Sequence, residues 1–291
     1  MGNKRAADLL VECLMNQGVS RVFGIPGESY LSVLDALVDV RNKVKFVTAR
    51  HEGAASFMAE AYGKLTGSAG ICFVTRGPGA TNASIGVHTA MQNSSPMILF
   101  IGQIERNTTD REAFQEVDYR MFFGSIAKWV TQIDEPDRLP ELIGRAFAVA
   151  NSGRPGPVVV ALPEDMLREI TDSTPVAKIL TNSAQASTEH IKVITKALNK
   201  AKHPLIICGG GGWSDQGRIH LQSFAESKNI PVACGFRNQD LMNTTSKAYV
   251  GDASFGKSKA IKKLIADSDL ILALNIRFGE VVTDGWTLFD F

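Results

Sequence analysis

The sequence predicts an α/β fold: a doubly wound parallel sheet with helices on both faces, followed by a second, incomplete α/β domain of Rossmann-like type. Three observations carry this. Short runs rich in Val and Ile alternate with stretches of helical apolar spacing, Gly and Pro cluster where those runs end, and the alternation lapses near residue 166 before restarting near 188. Strands of that kind, separated by helices, pair in parallel through βαβ crossovers and are covered on both faces.

Ala7, Leu10, Val11 and Leu14 recur on one helical face, and Gly18 stops that helix before the strand Arg21-Val22-Phe23-Gly24-Ile25. Helices follow at 28–39, 51–66, 79–92 and 137–151, between strands at 44–48, 70–75, 96–101, 127–132 and 157–162. Together they make a first domain over residues 1–165. Residues 166–187 read as a linker, since Asp172-Ser173-Thr174-Pro175 and Thr181 through Ser187 carry polar, turn-forming chemistry. The second domain, 188–291, shows helices at 188–201, 215–228 and 257–267 and strands at 204–208, 231–234 and 269–274. Three strands compare with roughly five or six in an average sheet. The chain also ends on the apolar Trp286-Thr287-Leu288-Phe289-Asp290-Phe291, so an interrupted domain is expected there.

Composition fits two such units: 291 residues, 44% of them apolar, against domains of usually about 100 to 200 residues. Thirty-one basic and thirty acidic residues leave a net charge of +1 with no basic block. Nucleic acid and anionic membrane are therefore not expected partners. Cys13, Cys72, Cys208 and Cys234 are widely spaced and lie in or beside apolar segments, as small core residues of a reducing compartment do. The first residues enter an amphipathic pattern with no signal-peptide core, and no apolar run approaches the roughly 18 residues of a membrane span. The expected location is cytoplasmic.

The stretch from Arg50 to Asn82 carries the chemistry. Glu52 opens a helix whose Gly53, Ala54, Ala55 and Ala59 leave a face bare enough for a flat ring. A carboxyl in such a cleft keeps its proton readily and can exchange it with a ring nitrogen; an acid in a first helical turn also simply favours the helix dipole, by roughly 0.3 to 1 kcal/mol. One strand later, Thr75-Arg76-Gly77-Pro78-Gly79-Ala80-Thr81-Asn82 reads either as a ligand-facing glycine turn with free helix-start N–H groups or as a tight strand-to-helix connection. Gly24-Ile25-Pro26-Gly27-Glu28 repeats the design, so both turns would lie at the carboxyl ends of parallel strands, where open α/β sheets bind ligands. Gly209-Gly210-Gly211-Gly212 suggests a dinucleotide loop, but Ser214 replaces the third glycine and no acid follows the next strand. The five histidines form no metal-spaced cluster, and no Gly-x-Ser-x-Gly or Cys/His arrangement is present. Asp110, Glu112, Glu116 and Asp118 read as a solvated loop face, and His88 as a packed helical histidine.

Six strings in one order resemble the thiamine diphosphate (ThDP)-dependent enzymes, and within them the acetolactate synthase-like large subunits. They are Val22-Phe23-Gly24-Ile25-Pro26-Gly27, Arg50-His51-Glu52-Gly53-Ala54-Ala55, Gly77-Pro78-Gly79-Ala80-Thr81-Asn82, Pro96 through Gln103, Ala113-Phe114-Gln115-Glu116 and Ser152-Gly153-Arg154-Pro155-Gly156-Pro157. The resemblance implies a pyrimidine-binding first domain and a central domain. In such enzymes Glu52 would hydrogen-bond the aminopyrimidine ring, with Pro26, Gly27, Gly77, Pro78 and Asn82 around it. Gln103, Phe114, Gln115 and Lys128 would lie near the substrate channel. It further implies decarboxylation of a 2-oxo acid such as pyruvate, with transfer of the acyl carbanion to a second carbonyl, in a homodimer or homotetramer.

Arg154 matches an arginine that touches FAD in that subfamily, whereas Tyr249 through Gly256 lacks the expected histidine-glycine pair, which leaves FAD open. The Mg2+ and diphosphate ligands of the family, a Gly-Asp-Gly motif followed by asparagine, are expected beyond residue 291. Gly251-Asp252-Ala253 with Asn275 lacks the second glycine and aligns with the central domain instead. An aldehyde-releasing decarboxylase and a non-catalytic α/β module remain the alternatives.

Overall fold

The run Gly70–Val74 is buried at every residue because both of its faces are covered: Ile71 and Phe73 join one apolar cluster, Cys72 and Val74 another. This two-residue alternation repeats across a six-stranded sheet and sets the layers of the first unit. The computed structural model describes residues 2–180 and 185–288, and the chain divides into two units, Met1–Asn182 and Ser183–Phe291.

The first unit runs β1 (Lys4–Arg5), α1 (Ala6–Asn16), β2 (Arg21–Gly24), α2 (Leu31–Asp39), β3 (Lys45–Thr48), α3 (Glu52–Thr66), β4 (Gly70–Val74), α4 (Pro78–Asn93), β5 (Met97–Gln103), α5 (Tyr119–Phe123), β6 (Trp129–Gln132), α6 (Leu139–Asn151), β7 (Pro157–Pro163) and β8 (Ile170–Thr171). The main sheet has the order β3-β2-β4-β5-β7-β6 and is parallel throughout. Helices α1, α2 and α6 cover one face, where Phe73 and Phe100 stack at 4.8 Å and 17°, a contact worth about 0.5 to 1.5 kcal/mol beyond its area. Helices α3, α4 and α5 cover the other. Small residues let α3 and α4 approach closely: Ala55, Ser56 and Ala59 face Ala83, Gly86 and Val87, all buried.

The helix expected at 28–39 breaks in two. A 3-10 turn, Glu28–Tyr30, precedes α2, because Tyr30 leaves helical geometry (φ −140°, ψ 34°) to bury its ring against Phe73 and donate its hydroxyl to the Ile25 carbonyl. The pairing of β1 with β8 was not expected.

The linker expected over 166–187 is corrected, because residues 166–180 belong to the first unit. Met166 and Leu167 are buried, and the Gln17 side chain donates to the Ala177 carbonyl and accepts from the Ile179 amide, each at 2.9 Å. This segment is held by side-chain hydrogen bonds rather than periodic packing, so no pattern announces it. Residues 181–184 of the expected linker, and 289–291 of the expected interrupted end, lie outside the described residues.

The second unit has α7 (Thr188–Lys200), β9 (Pro204–Cys208), α8 (Asp215–Lys228), β10 (Val232–Gly235), β11 (Tyr249–Ala253), α9 (Lys259–Ala266), β12 (Leu270–Leu274) and α10 (Glu280–Thr283). Its parallel sheet has the order β11-β10-β9-β12, one strand more than expected. The extra strand, β11, is an edge strand carrying Gly251 and Asp252, so it shows no apolar run. Lys257 is buried here, and its ammonium donates to the Ser254 carbonyl at 3.0 Å, the Val281 carbonyl at 2.6 Å and Asp284 Oδ1 at 2.7 Å. Among the described residues no helix is long and apolar enough to cross a membrane.

Candidate cofactor site

In the first sheet β3 lies on one side of β2 and β4 on the other. The connections leaving β2 and β4 therefore diverge, opening a crevice at their carboxyl ends, the place where open α/β sheets take ligands. The two loops are tied across it. Ser29 Oγ lies 2.8 Å from Thr75 Oγ1 and accepts the Arg76 amide at 3.2 Å. Gly27 packs so tightly on Thr75 that a Cβ on it would stand 2.6 Å from that side chain.

Glu52 enters this crevice as the first residue of α3. His51 caps the helix, its Nδ1 accepting the Gly53 amide at 3.0 Å. The half-buried Glu52 carboxylate accepts from Asn82 Nδ2 on Oε2 at 3.0 Å. Its Oε1 lies 3.6 Å from where a Gly79 side chain would begin, a place that the Thr75 methyl approaches to 2.8 Å. Burial first, and the nearby Glu52 charge second, push the Cys72 thiol well above its usual range. The α4 helix is launched by Gly77, whose φ of 55° and ψ of −112° suit glycine alone, with Pro78 in the first turn. The Gly77 carbonyl then accepts the Thr81 amide at 3.0 Å.

The connection from β5 to α5 folds over this turn. Gln115, itself left-handed at φ 65°, places its Cβ and carbonyl oxygen 2.7 and 2.9 Å from the missing Gly77 side chain. Gln103 is buried, and its amide serves the loop: it donates to the Val117 carbonyl at 3.1 Å and accepts the Ile104 amide at 2.9 Å. Phe114 is 73% exposed and keeps its ring in solvent. Pro26, Gly27, Glu52, Gly77, Pro78 and Asn82 thus share one edge with Gln103, Phe114 and Gln115.

The family model described as the N-terminal TPP binding domain of thiamine pyrophosphate enzymes matches residues 4–121, and the model for their central domain matches 191–291. The chain belongs to the thiamine pyrophosphate enzyme family. It is 34% identical over 286 residues to the acetolactate synthase large subunit of Buchnera aphidicola subsp. Acyrthosiphon pisum, covering 96% of this chain and 50% of that protein. The acetolactate synthase isozyme 3 large subunit of Escherichia coli K12 is 32% identical over 284 residues, covering 96% and 49%. The mitochondrial acetolactate synthase of Schizosaccharomyces pombe is 32% identical over 299 residues, covering 98% and 44%. The chain spans about half the length of the curated relatives it matches.

Lys128, expected near the substrate channel, and Arg154, matched to a flavin-contacting arginine, lie at the other edge of the sheet in this unit. Lys128 sits at the amino edge of the sheet, where its amide donates to the Pro157 carbonyl at 2.8 Å. Its ammonium closes the end of α6 through the Val149 and Ser152 carbonyls at 2.5 and 2.9 Å, and burial together with Arg154 lowers its pKa. Arg154 closes the end of α4, donating to Ser94 Oγ at 2.7 Å and the Met91 carbonyl at 2.6 Å. Five-residue strands put that edge roughly 15 Å from the crevice. The family strings name residue types, and do not say which edge of the sheet each one occupies.

Residues missed by sequence reasoning are Ser29, Thr75, Arg76 and Tyr119. Only Arg76 left a signal, as a charge inside a glycine turn at the end of a buried strand. In the second unit the glycine run serves packing: Ile276 Cδ1 lies 2.3 and 2.2 Å from the absent side chains of Gly209 and Gly235, and the Asn275 carbonyl lies 2.2 Å from that of Gly210. Asp252 and Asn275 stand at opposite edges of the four-stranded sheet, on β11 and after β12, about 14 Å apart by strand spacing. Among the described residues no group of three or more His, Cys, Asp or Glu is placed to hold a metal.

Proposed function

We propose that this chain is the N-terminal portion of a ThDP-dependent 2-oxo acid decarboxylase and carboligase of the acetolactate synthase type, and supplies the pyrimidine side of its cofactor site. One observation carries the reading: at the switch-point crevice Glu52 is held through Oε2 by Asn82, while Oε1 stands beside Gly79 and the Thr75 methyl at the start of α4. The donor set fits the group. A ring nitrogen needs one carboxyl oxygen not already engaged, and Asn82 engages only Oε2.

When bound, thiamine diphosphate supplies a carbon nucleophile and an electron sink for loss of CO2 from a 2-oxo acid. This chain's residues do the rest of what is proposed. Glu52 Oε1 holds or releases a proton toward the pyrimidine ring, help worth roughly 10² to 10⁴ in rate. Asn82 orients the carboxyl, while Gly27, Gly77 and Pro78 shape the wall. The residues do not fit FAD in the same way, since Arg154 closes a helix and Ile276 fills the glycine cleft of the second unit. No step is assigned to a flavin.

Assembly as a homodimer or homotetramer is supported by Phe57, Met58 and Ile85, apolar side chains exposed on α3 and α4 beside the crevice. Four free, buried cysteines suit a cytoplasmic setting. The test is Glu52→Gln in the full-length protein, read as hydrogen–deuterium exchange at the thiazolium C2 of bound ThDP. Near-abolition is expected, and exchange at the wild-type rate would remove Glu52 from the role.

A further inference from the structure

Two side chains outside the crevice converge on the Gly77 turn. Tyr119, 3% exposed, accepts the Gly77 amide on its hydroxyl at 2.8 Å. Arg76, with a side chain 12% exposed, donates Nε to the Phe114 carbonyl at 3.2 Å and pairs its terminal nitrogens with Glu164 at 3.0 Å and Glu28 at 3.3 Å. Arg76 therefore joins the ends of β2, β4 and β7 to the loop before α5.

We infer that Tyr119 is a positioning residue of the cofactor half-site, acting through Gly77 and braced by Arg76. The inference rests on the functional reading above. The Tyr119 hydroxyl touches the backbone rather than the crevice, so its effect passes through the peptide joining Arg76 to Gly77. That peptide sets the direction in which α4 starts. Gly77 begins the helix by accepting from Thr81, and the next residues place Gly79 and Asn82 against Glu52. Without the hydroxyl the buried Gly77 N–H loses its acceptor and the peptide can turn. Gly79 and Asn82 would turn with it.

The experiment uses the full-length protein with Tyr119→Phe, which retains the ring beside Phe123. Deuterium uptake of the peptide spanning residues 75–82 is measured without cofactor, and ThDP binding is measured by calorimetry with Mg2+. Loss of one buried hydrogen bond is expected to speed exchange at Gly77 and raise the Kd for ThDP, each by about tenfold. A lowered melting temperature with wild-type Kd would overturn the inference, because a purely structural residue behaves that way. Wild-type exchange and Kd together would also overturn it. Should Tyr119→Phe fail to fold, Arg76→Gln is read instead, and unchanged exchange and Kd in that variant overturn the inference. Absence of ThDP binding by the wild type would sink the functional reading itself, whereas the exchange measurement reports on the turn in either case.

Discussion

Asn82 and Glu52 meet across 3.0 Å, side-chain amide to carboxylate, and so join the fifth residue of α4 to the first residue of α3. Removing the amide leaves the carboxyl free to rotate away from Gly79. Asn82→Ala in the full-length protein should lower kcat/KM for a 2-oxo acid by about tenfold or somewhat more, the usual cost of one hydrogen bond to a charged group. Steady-state kinetics with saturating ThDP would check this, and an unchanged value would mean that the pair does not orient Glu52.

Gly77 offers a stability test. Its φ of 55° and the nearness of Gln115 both oppose a side chain. Gly77→Ala should destabilise the first unit by about 1 to 3 kcal/mol. Urea unfolding followed by circular dichroism gives the midpoint, and a midpoint equal to wild type would contradict the described turn.

Acid sensitivity should concentrate at Arg106 and Asp165. Burial works against the Asp165 charge, but the side-chain and backbone hydrogen bonds from Arg106 together outweigh it and hold the carboxyl below its usual range. A depressed folded pKa means that the stabilisation is complete above the unfolded value, about 3.9, and is lost as pH falls through the folded one. Arg106→Gln should therefore weaken the fold at neutral pH and flatten its loss of stability in acid. Urea midpoints between pH 7 and pH 3 for both proteins decide this; parallel curves would count against it.

Lys257 supports the second unit from inside. Lys257→Met keeps much of the volume and leaves two carbonyls without their donor, while Asp284 retains Lys262 at 2.9 Å. The expected loss is about 1 to 3 kcal/mol, confined to the transition that reports on that unit. Calorimetry resolving the two units is the measurement, and an unshifted transition would show the ammonium to be dispensable.

Most of the main sheet was legible because β4 and β7 are apolar along their whole length and β5 is apolar up to its final Gln103, as strands covered on both faces are. β11 was not, since an edge strand has fewer neighbours and tolerates Gly251 and Asp252. Glu52 was legible as a charge opening a small-residue helix beside a glycine turn; its chemical role is a proposal. Arg76 and Tyr119 escaped because their meaning lies in contacts 38 to 88 residues away along the chain. Lys128 and Arg154 show the opposite limit: a family string names a residue such as Arg154, but only the fold shows that both side chains lie at the amino edge of the sheet.

The brace between Arg76 and Glu164 also constrains the order of events during synthesis. Arg76 must wait 88 residues for that partner, and Lys4 and Arg5 cannot pair until Ile170 and Thr171 have emerged. Contacts so remote make folding slow and late. A nascent chain that has already exposed Glu52 and Asn82 still lacks β7 and Glu164, so the crevice cannot be completed until those residues have followed.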